Sequence, residues 1–166
     1  MPVDPVAIDP FLDKGAVVRA LAAAARERCA AVERVAALAR DEASSEESKS
    51  EGKYDTRATE ASYLARGQAE RVDDLRRARS WFEAASASPS PCVDLGALVE
   101  LRMRGRDDLV YVAPFAAVPV DLGGRTIRVL AAQSPLARAL AGAVAGDEVE
   151  VEGPQGVVEA TVLRVG

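Results

Sequence analysis

Two long segments of helical periodicity, joined by a short and very polar stretch, leave the first half of this chain little choice of fold. The joint runs from Ser44 to Glu60. Its serines, Ser44, Ser45 and Ser48, compete for their own backbone, and Gly52 permits a positive φ, so the first helix is expected to end here and the chain to double back. From Phe11 to Ala43, Val18, Leu21, Ala25, Val32 and Val35 form an apolar seam, with Val17, Ala24, Ala31 and Leu38 beside it. Arg28 interrupts that seam and Cys29 sits next to the break. At ~1.5 Å per residue such a helix is roughly 50 Å long, more than a small core needs. A second helix, capped by Asp55 or Thr56, is predicted from Arg57 to Ala85, with Ala61, Leu64, Leu75, Ala78 and Phe82 on its seam and Tyr63 and Val72 flanking it. Matched helices and a polar turn predict an antiparallel coiled-coil hairpin.

The tip of that hairpin is strongly acidic. Asp41, Glu42, Glu46, Glu47, Glu51, Asp55 and Glu60 outnumber Lys49, Lys53 and Arg57, so a cation or a basic wall is its natural partner. The net charge of −5 argues against a bulk electrostatic grip on nucleic acid, which places any nucleic-acid contact in the hands of a partner protein. The chain has no histidine, which removes the usual Ser/His/Asp and Cys/His nucleophile arrangements and histidine-ligated zinc. Cys29 and Cys92 are in no metal-binding spacing and read as reduced thiols. The N-terminus lacks a basic and apolar signal profile, and charged residues break the alanine-rich run from Ala16 to Ala39. A cytoplasmic protein without a membrane span is expected.

With 166 residues, there is room for one small domain plus an extended arm. Residues 1–86 are read as the hairpin, 87–92 as a linker rich in serine and proline, and 93–166 as a second domain. In that domain Val93 to Met103, Leu109 to Pro114, Thr126 to Ala131, Glu148 to Glu152 and Val157 to Val165 read as strands. The turns are Gly105 to Asp108, Gly123-Gly124 and Gly153 to Gly156. Ser134-Pro135 opens a short helix as cap and first residue, and Gly142 ends it, so the Ser134 hydroxyl is read as a cap and not a nucleophile. The fold class is therefore α+β: a helical hairpin followed by a small antiparallel sheet with one helix laid on it.

Ser134-Pro135-Leu136-Ala137-Arg138-Ala139-Leu140-Ala141-Gly142, then Gly146-Asp147-Glu148-Val149 and Gly153-Pro154-Gln155-Gly156, stand in a fixed order. This pattern resembles the C-terminal domain of the GreA/GreB transcription elongation factors, over roughly residues 93–166, and the hairpin extends the likeness to nearly the whole chain. The resemblance implies an FKBP-like C-terminal domain docked at the rim of the RNA polymerase secondary channel, with the coiled coil entering the channel. It also implies that tip carboxylates hold Mg2+ and stimulate the polymerase's own cleavage of backtracked RNA, the factor being no enzyme itself. On this reading Asp55 and Glu60, with Glu46 and Glu47 across the hairpin, are the candidate metal ligands, and Ser134, Pro135, Leu136, Arg138 and Tyr63 the candidate partner-binding residues.

The tip departs from the family pattern of G-D-L-x-E-N-x-E-Y. Asp55 and Glu60 lie five residues apart here, a spacing that does not share one helix face, and no asparagine follows. A channel binder without cleavage activity therefore stays open beside the cleavage factor, as do helix-cap and solvated-charge roles for Asp55 and Glu60. Two further alternatives are an FKBP-like prolyl isomerase, for which Tyr111 and Phe115 are the aromatics at hand, and a plain coiled-coil interaction protein.

Overall fold

The computed structural model describes residues 9, 11, 13–47, 56–153 and 156–166. Their order is α1 (Lys14–Glu47), α2 (Thr56–Ala84), β1 (Leu98–Met103), β2 (Arg106–Ala113), β3 (Val120–Leu122), β4 (Arg125–Ala131), α3 (Pro135–Leu140), β5 (Glu148–Gly153) and β6 (Gly156–Val165). Two compact units result, one of Ala25–Trp81 and one that joins the first turns of α1, up to Ala24, to Phe82–Gly166. The sequence places the change of domain at 87–92, whereas by compactness it falls inside the helices. Val17, Leu21 and Phe82 are buried within the sheet-bearing unit, which is why the helix roots belong to it.

Asp13 starts α1, its carboxylate accepting the Ala16 N–H at 2.8 Å. The helix runs past Ser44 and Ser45 to Glu47, beyond the expected stop at Ala43. Ser44 donates its hydroxyl back to the Arg40 carbonyl at 2.9 Å, so the serine is satisfied inside the helix instead of breaking it.

Within the arm, the seam is shifted from the one that the largest apolar residues suggest. Ala25, Cys29, Val32, Ala36 and Ala39 on α1 alternate by four and three and are all buried or half-buried. Gln68, Val72, Leu75 and Arg79 do the same on α2. Cys29 therefore lies on the seam, not beside it, while Val35, Leu38 and Leu64, expected in or next to it, are more than half exposed. Two helices cover only a narrow stripe of each other, so residues one step around the helix stay wet. The pairing is antiparallel: Glu33 meets Arg76, and four residues earlier on α1 Cys29 senses the charge of Arg79, three residues later on α2.

The sheet has six strands in the order β3-β4-β2-β1-β6-β5. Four of its five pairings are antiparallel, and β2 with β4 is parallel, which corrects the all-antiparallel expectation to a mixed sheet. The cause lies in the 114–119 segment: prolines at both ends prevent a tight hairpin after β2, so the chain crosses over and returns through the short strand β3, which sequence reading missed. Val93 to Ala97 is also not strand, because Gly96 turns the chain with a φ of 84°. The β1–β2 turn is the two-residue Arg104-Gly105, both at positive φ, and β2 already begins at Arg106.

One face of the sheet, through Val99, Leu101, Val110, Val112 and Val162, forms a core with Val93, Ala97, Leu140 and Ala143. On the other face Leu98 of β1, Leu109 and Tyr111 of β2 and Ile127 of β4 are buried as well, so this part of the sheet is covered on both sides.

Candidate functional site

The Ser-Pro motif folds as its residue types dictate. The Ser134 side chain accepts the Ala137 N–H at 3.3 Å, its carbonyl accepts the Arg138 N–H at 3.0 Å, and Pro135 occupies the first helical position, where no donor is missed. The lead-in is pinned to the sheet by Ala132 N–H to the Ala113 carbonyl and Ser134 N–H to the Ala131 carbonyl. At the far end Gly142, at a φ of 79°, donates to the Val93 carbonyl at 2.8 Å. Leu140 is fully buried and Leu136 packs against the same core. Of the candidate docking residues, then, Ser134 is a cap and Leu136 a half-buried packing residue. Pro135 and Arg138 are exposed on the same short helix, and Arg138 makes no ion pair among the described residues.

The Gly-Asp motif is structural too. Asp147 accepts the Val144 N–H on its carboxylate at 2.9 Å and the Val162 N–H on its carbonyl at 2.8 Å, closing the turn into β5.

Three features of the sheet-bearing unit escaped sequence reading. Glu100, on β1, accepts from Arg125 at 2.6 Å and lies 3.7 Å from Arg164, which also holds Asp9 at 3.1 Å under the Phe11 ring. The Asp9 carboxyl is held below its ordinary range, first by the Phe11 N–H and also by Arg164. Lys14, buried at the start of α1, donates to the Ser88 carbonyl. Finally, Phe82 packs edge-on to Phe115 at 5.7 Å and against Tyr111 at 6.2 Å. Tyr111 has no exposed surface, and burial pushes its phenol up to about 12. The aromatics an isomerase pocket would need are thus filled from within, by Phe82. Alternation along β1 could have flagged Glu100 as an inward-leaning carboxylate; the other two depend on segments far apart in sequence.

In the arm unit, Arg76 donates from Nε to Glu33 at 2.8 Å, and it also reaches Asp73 on its own helix at 3.3 Å. The Cys29 thiol hydrogen-bonds to the same Glu33; the guanidinium of Arg76 is the main cause that keeps the Glu33 carboxyl below its usual range. Burial, then the nearby Glu33 charge, pushes the Cys29 thiol upward, so this cysteine is a packed thiol and not a reactive thiolate. Arg77 with Asp74, and Arg66 with Glu70, lie along the solvated face. Tyr63 is 73% exposed.

Of the candidate metal ligands, Asp55 lies outside the described residues. Glu46 and Glu47 belong to the last turn of α1 and Glu60 to the first turns of α2, with their side chains outside what is described. Among the described residues no group of three or more carboxylates or thiols could hold a metal ion, and no helix is long and apolar enough to cross a membrane.

Residues 89–166 match the family described as "Transcription elongation factor, GreA/GreB, C-term". No curated protein matches the chain at a significant level. Among solved structures, the chain is similar to GreA factor homolog 1 (Gfh1) of Thermus thermophilus, at 21% identity over 89% of this chain and 95% of that one, with a TM-score of 0.37. It is similar also to Thermus aquaticus Gfh1, at 20% identity over 89% and 94% of the two chains and a TM-score of 0.37. A GreA/GreB elongation factor from Nitrosomonas europaea shares 23% identity over 57% of this chain and 78% of that one, with a TM-score of 0.33. The family match covers the whole sheet together with the capped helix and the Asp147 turn, the elements that the sequence motifs build. What this comparison establishes is the likeness of residues 89–166 to the C-terminal domain of the GreA/GreB transcription elongation factors.

Proposed function

We propose that this chain binds RNA polymerase and regulates transcript elongation, its C-terminal domain docking at the secondary-channel rim and its helical arm entering the channel. The observation that carries this reading is the family match over residues 89–166, in which the Ser134–Arg138 helix presents from a capped turn an exposed arginine with no ion pair among the described residues. Pro135 and Arg138 are the docking contacts, with Ser134 and Leu136 holding them in place, and exposed Tyr63 lies on the part of the arm that meets the channel wall. The chain then works as an accessory factor in the cytoplasm and meets nucleic acid through the polymerase.

For the tip, Asp55 and Glu60, with Glu46 and Glu47, form a donor set made only of carboxylate oxygens, the chemistry that suits Mg2+. When bound, that ion supplies charge neutralisation and an activated water for the polymerase's own phosphoryl chemistry. The chain's residues would hold and orient it. A second reading, a channel binder without cleavage activity, is favoured by one observation: Glu60 lies within α2, five residues beyond Asp55, where the family pattern keeps its two carboxylates three apart.

The test is transcript cleavage in purified backtracked complexes of the cognate polymerase, with the wild-type chain and with Asp55→Ala and Glu60→Ala. Magnesium-dependent shortening that disappears in the variants supports a cleavage factor. Competition with a cleavage factor, without shortening, supports the second reading. Failure to bind the polymerase sinks both.

A further inference from the structure

The seam of the arm is poor in shape information. Ala25, Ala36 and Ala39 offer one methyl each, and only Val32 on α1 and Val72 and Leu75 on α2 fill much space. Sliding α1 by one heptad puts Ala25 or Ala39 in the place of Val32 and Ala36 in the place of Cys29, one small side chain for another, so the apolar packing of α1 specifies the pairing weakly. Val17, Leu21 and Phe82 hold the helix roots in the core of the sheet-bearing unit, and along the seam beyond them a polar contact can choose the register.

We propose that Glu33 and Arg76, with the Cys29 thiol bonded beneath them, are positioning residues that lock the register of the antiparallel hairpin. In the observed register the carboxylate accepts from the guanidinium at 2.8 Å, Asp73 steadies the arginine from its own helix at 3.3 Å, and Cys29 fills the layer below without exposed surface. The neighbouring registers are penalised by charge. Displacing the pairing by one heptad in one direction sets Glu33 opposite Ala69 and Arg76 opposite Arg26; in the other direction it sets Glu33 opposite Glu83 and Arg76 opposite Arg40. Each displacement loses the ion pair and gains at least one like-charge contact. Because the pair is half-exposed it adds little to overall stability; its effect is to choose among pairings. Arg77 with Asp74 and Arg66 with Glu70 join residues of one helix and are indifferent to register.

The lock concerns the arm's own geometry and stands whether or not the polymerase reading holds. If that reading holds, the lock also decides which carboxylates of α1 and α2 come level at the tip.

The test uses the full chain with Cys92→Ser, leaving buried Cys29 in place, and spin labels on Ala37→Cys and Gly67→Cys, both exposed positions. Pulsed electron resonance on this parent should give one narrow distance, and Arg76→Lys, which keeps the charge, should retain it. Arg76→Glu repels Glu33 in the observed register and attracts Arg26 or Arg40 in the displaced ones. It should broaden the distribution or add a second distance, displaced by up to about 10 Å for a full heptad. The double variant Glu33→Ala, Arg76→Ala should broaden it without a defined second distance. Asp74→Ala, which breaks the pair within α2, should leave it narrow. Circular dichroism checks that helix content is kept. A single unchanged distance in both Arg76→Glu and the double-alanine variant overturns the proposal, as does equal broadening by Asp74→Ala.

Discussion

The Lys14 ammonium, on the first residue of α1, donates to the carbonyl of Ser88 at 2.7 Å, and its second neighbour is the Ser90 hydroxyl at 3.4 Å. A buried cation at a helix N-terminus faces the positive end of the helix dipole and has no carboxylate partner among the described residues, so burial lowers its pKa from 10.5. Lys14→Met keeps the apolar stem, removes the desolvated charge and loses one charge-assisted bond to an exposed carbonyl. Those effects oppose each other, and global stability should change by no more than about 1 kcal/mol. What is lost is the hold on the serine-proline segment. Limited proteolysis within 86–91 should therefore run several-fold faster in Lys14→Met; unchanged cleavage would show that something else pins the segment.

Phe82 joins the last turn of α2 to the sheet-bearing unit. With 1% of its surface exposed, and Phe115 and Tyr111 against its ring, it is the largest fully buried side chain of that helix among the described residues. Phe82→Ala should cost about 3–5 kcal/mol in chemical denaturation, and Phe82→Leu clearly less, because leucine refills most of the volume. Equal losses for the two would mean that edge-on ring geometry, not volume, is what matters.

On α3, packing and docking are separable by mutation. Ser134→Ala removes the cap and should destabilise the domain by about 1 kcal/mol. Arg138→Glu alters an exposed side chain with no ion pair among the described residues and should leave denaturation curves unchanged while weakening the proposed polymerase binding roughly tenfold or more, with a steep dependence on salt. Arg138→Glu binding as tightly as wild type would remove Arg138 from the interface.

Alkaline stability should report Tyr111. Its folded pKa, about 12, stands above the ordinary 10.0, so the folded state keeps its proton while the unfolded chain loses it. The contribution is complete below pH 10 and is lost as pH rises toward 12. Lys14 works with the opposite sign below 10.5, since its lowered pKa means that stability rises as its ammonium deprotonates. The difference between wild type and Tyr111→Phe isolates the phenol: the variant should lose less stability than wild type between pH 10 and 12. Parallel curves would contradict burial as the origin of the shift.

Much of the architecture was legible because it is written locally. The two long helices, the Ser134 cap with Pro135 behind it, and the Gly123-Gly124 hairpin turn each depend on residues within one or two turns of chain. The seam is hard to read from sequence because large side chains dominate a periodicity: Val35 and Leu38 outweigh Cys29 and Ala36 in it, yet the smaller pair is the one buried. Similarly, Ser44 looked like a helix breaker because its alternative partner, the Arg40 carbonyl, is reached only once the helix has formed.

By itself the sequence determined that a long helical hairpin precedes a small strand-rich domain, and that the domain carries the ordered motifs of the GreA/GreB family. Hydrophobic period, caps and turns are short-range properties, and each residue carries its share of them. The tertiary structure alone decided that β4 returns parallel to β2, that Glu100 gathers Arg125 and Arg164, and that Lys14 reaches Ser88. These are pairings between segments tens of residues apart. Whether such a pairing forms depends on which surfaces remain uncovered after the rest of the chain has packed.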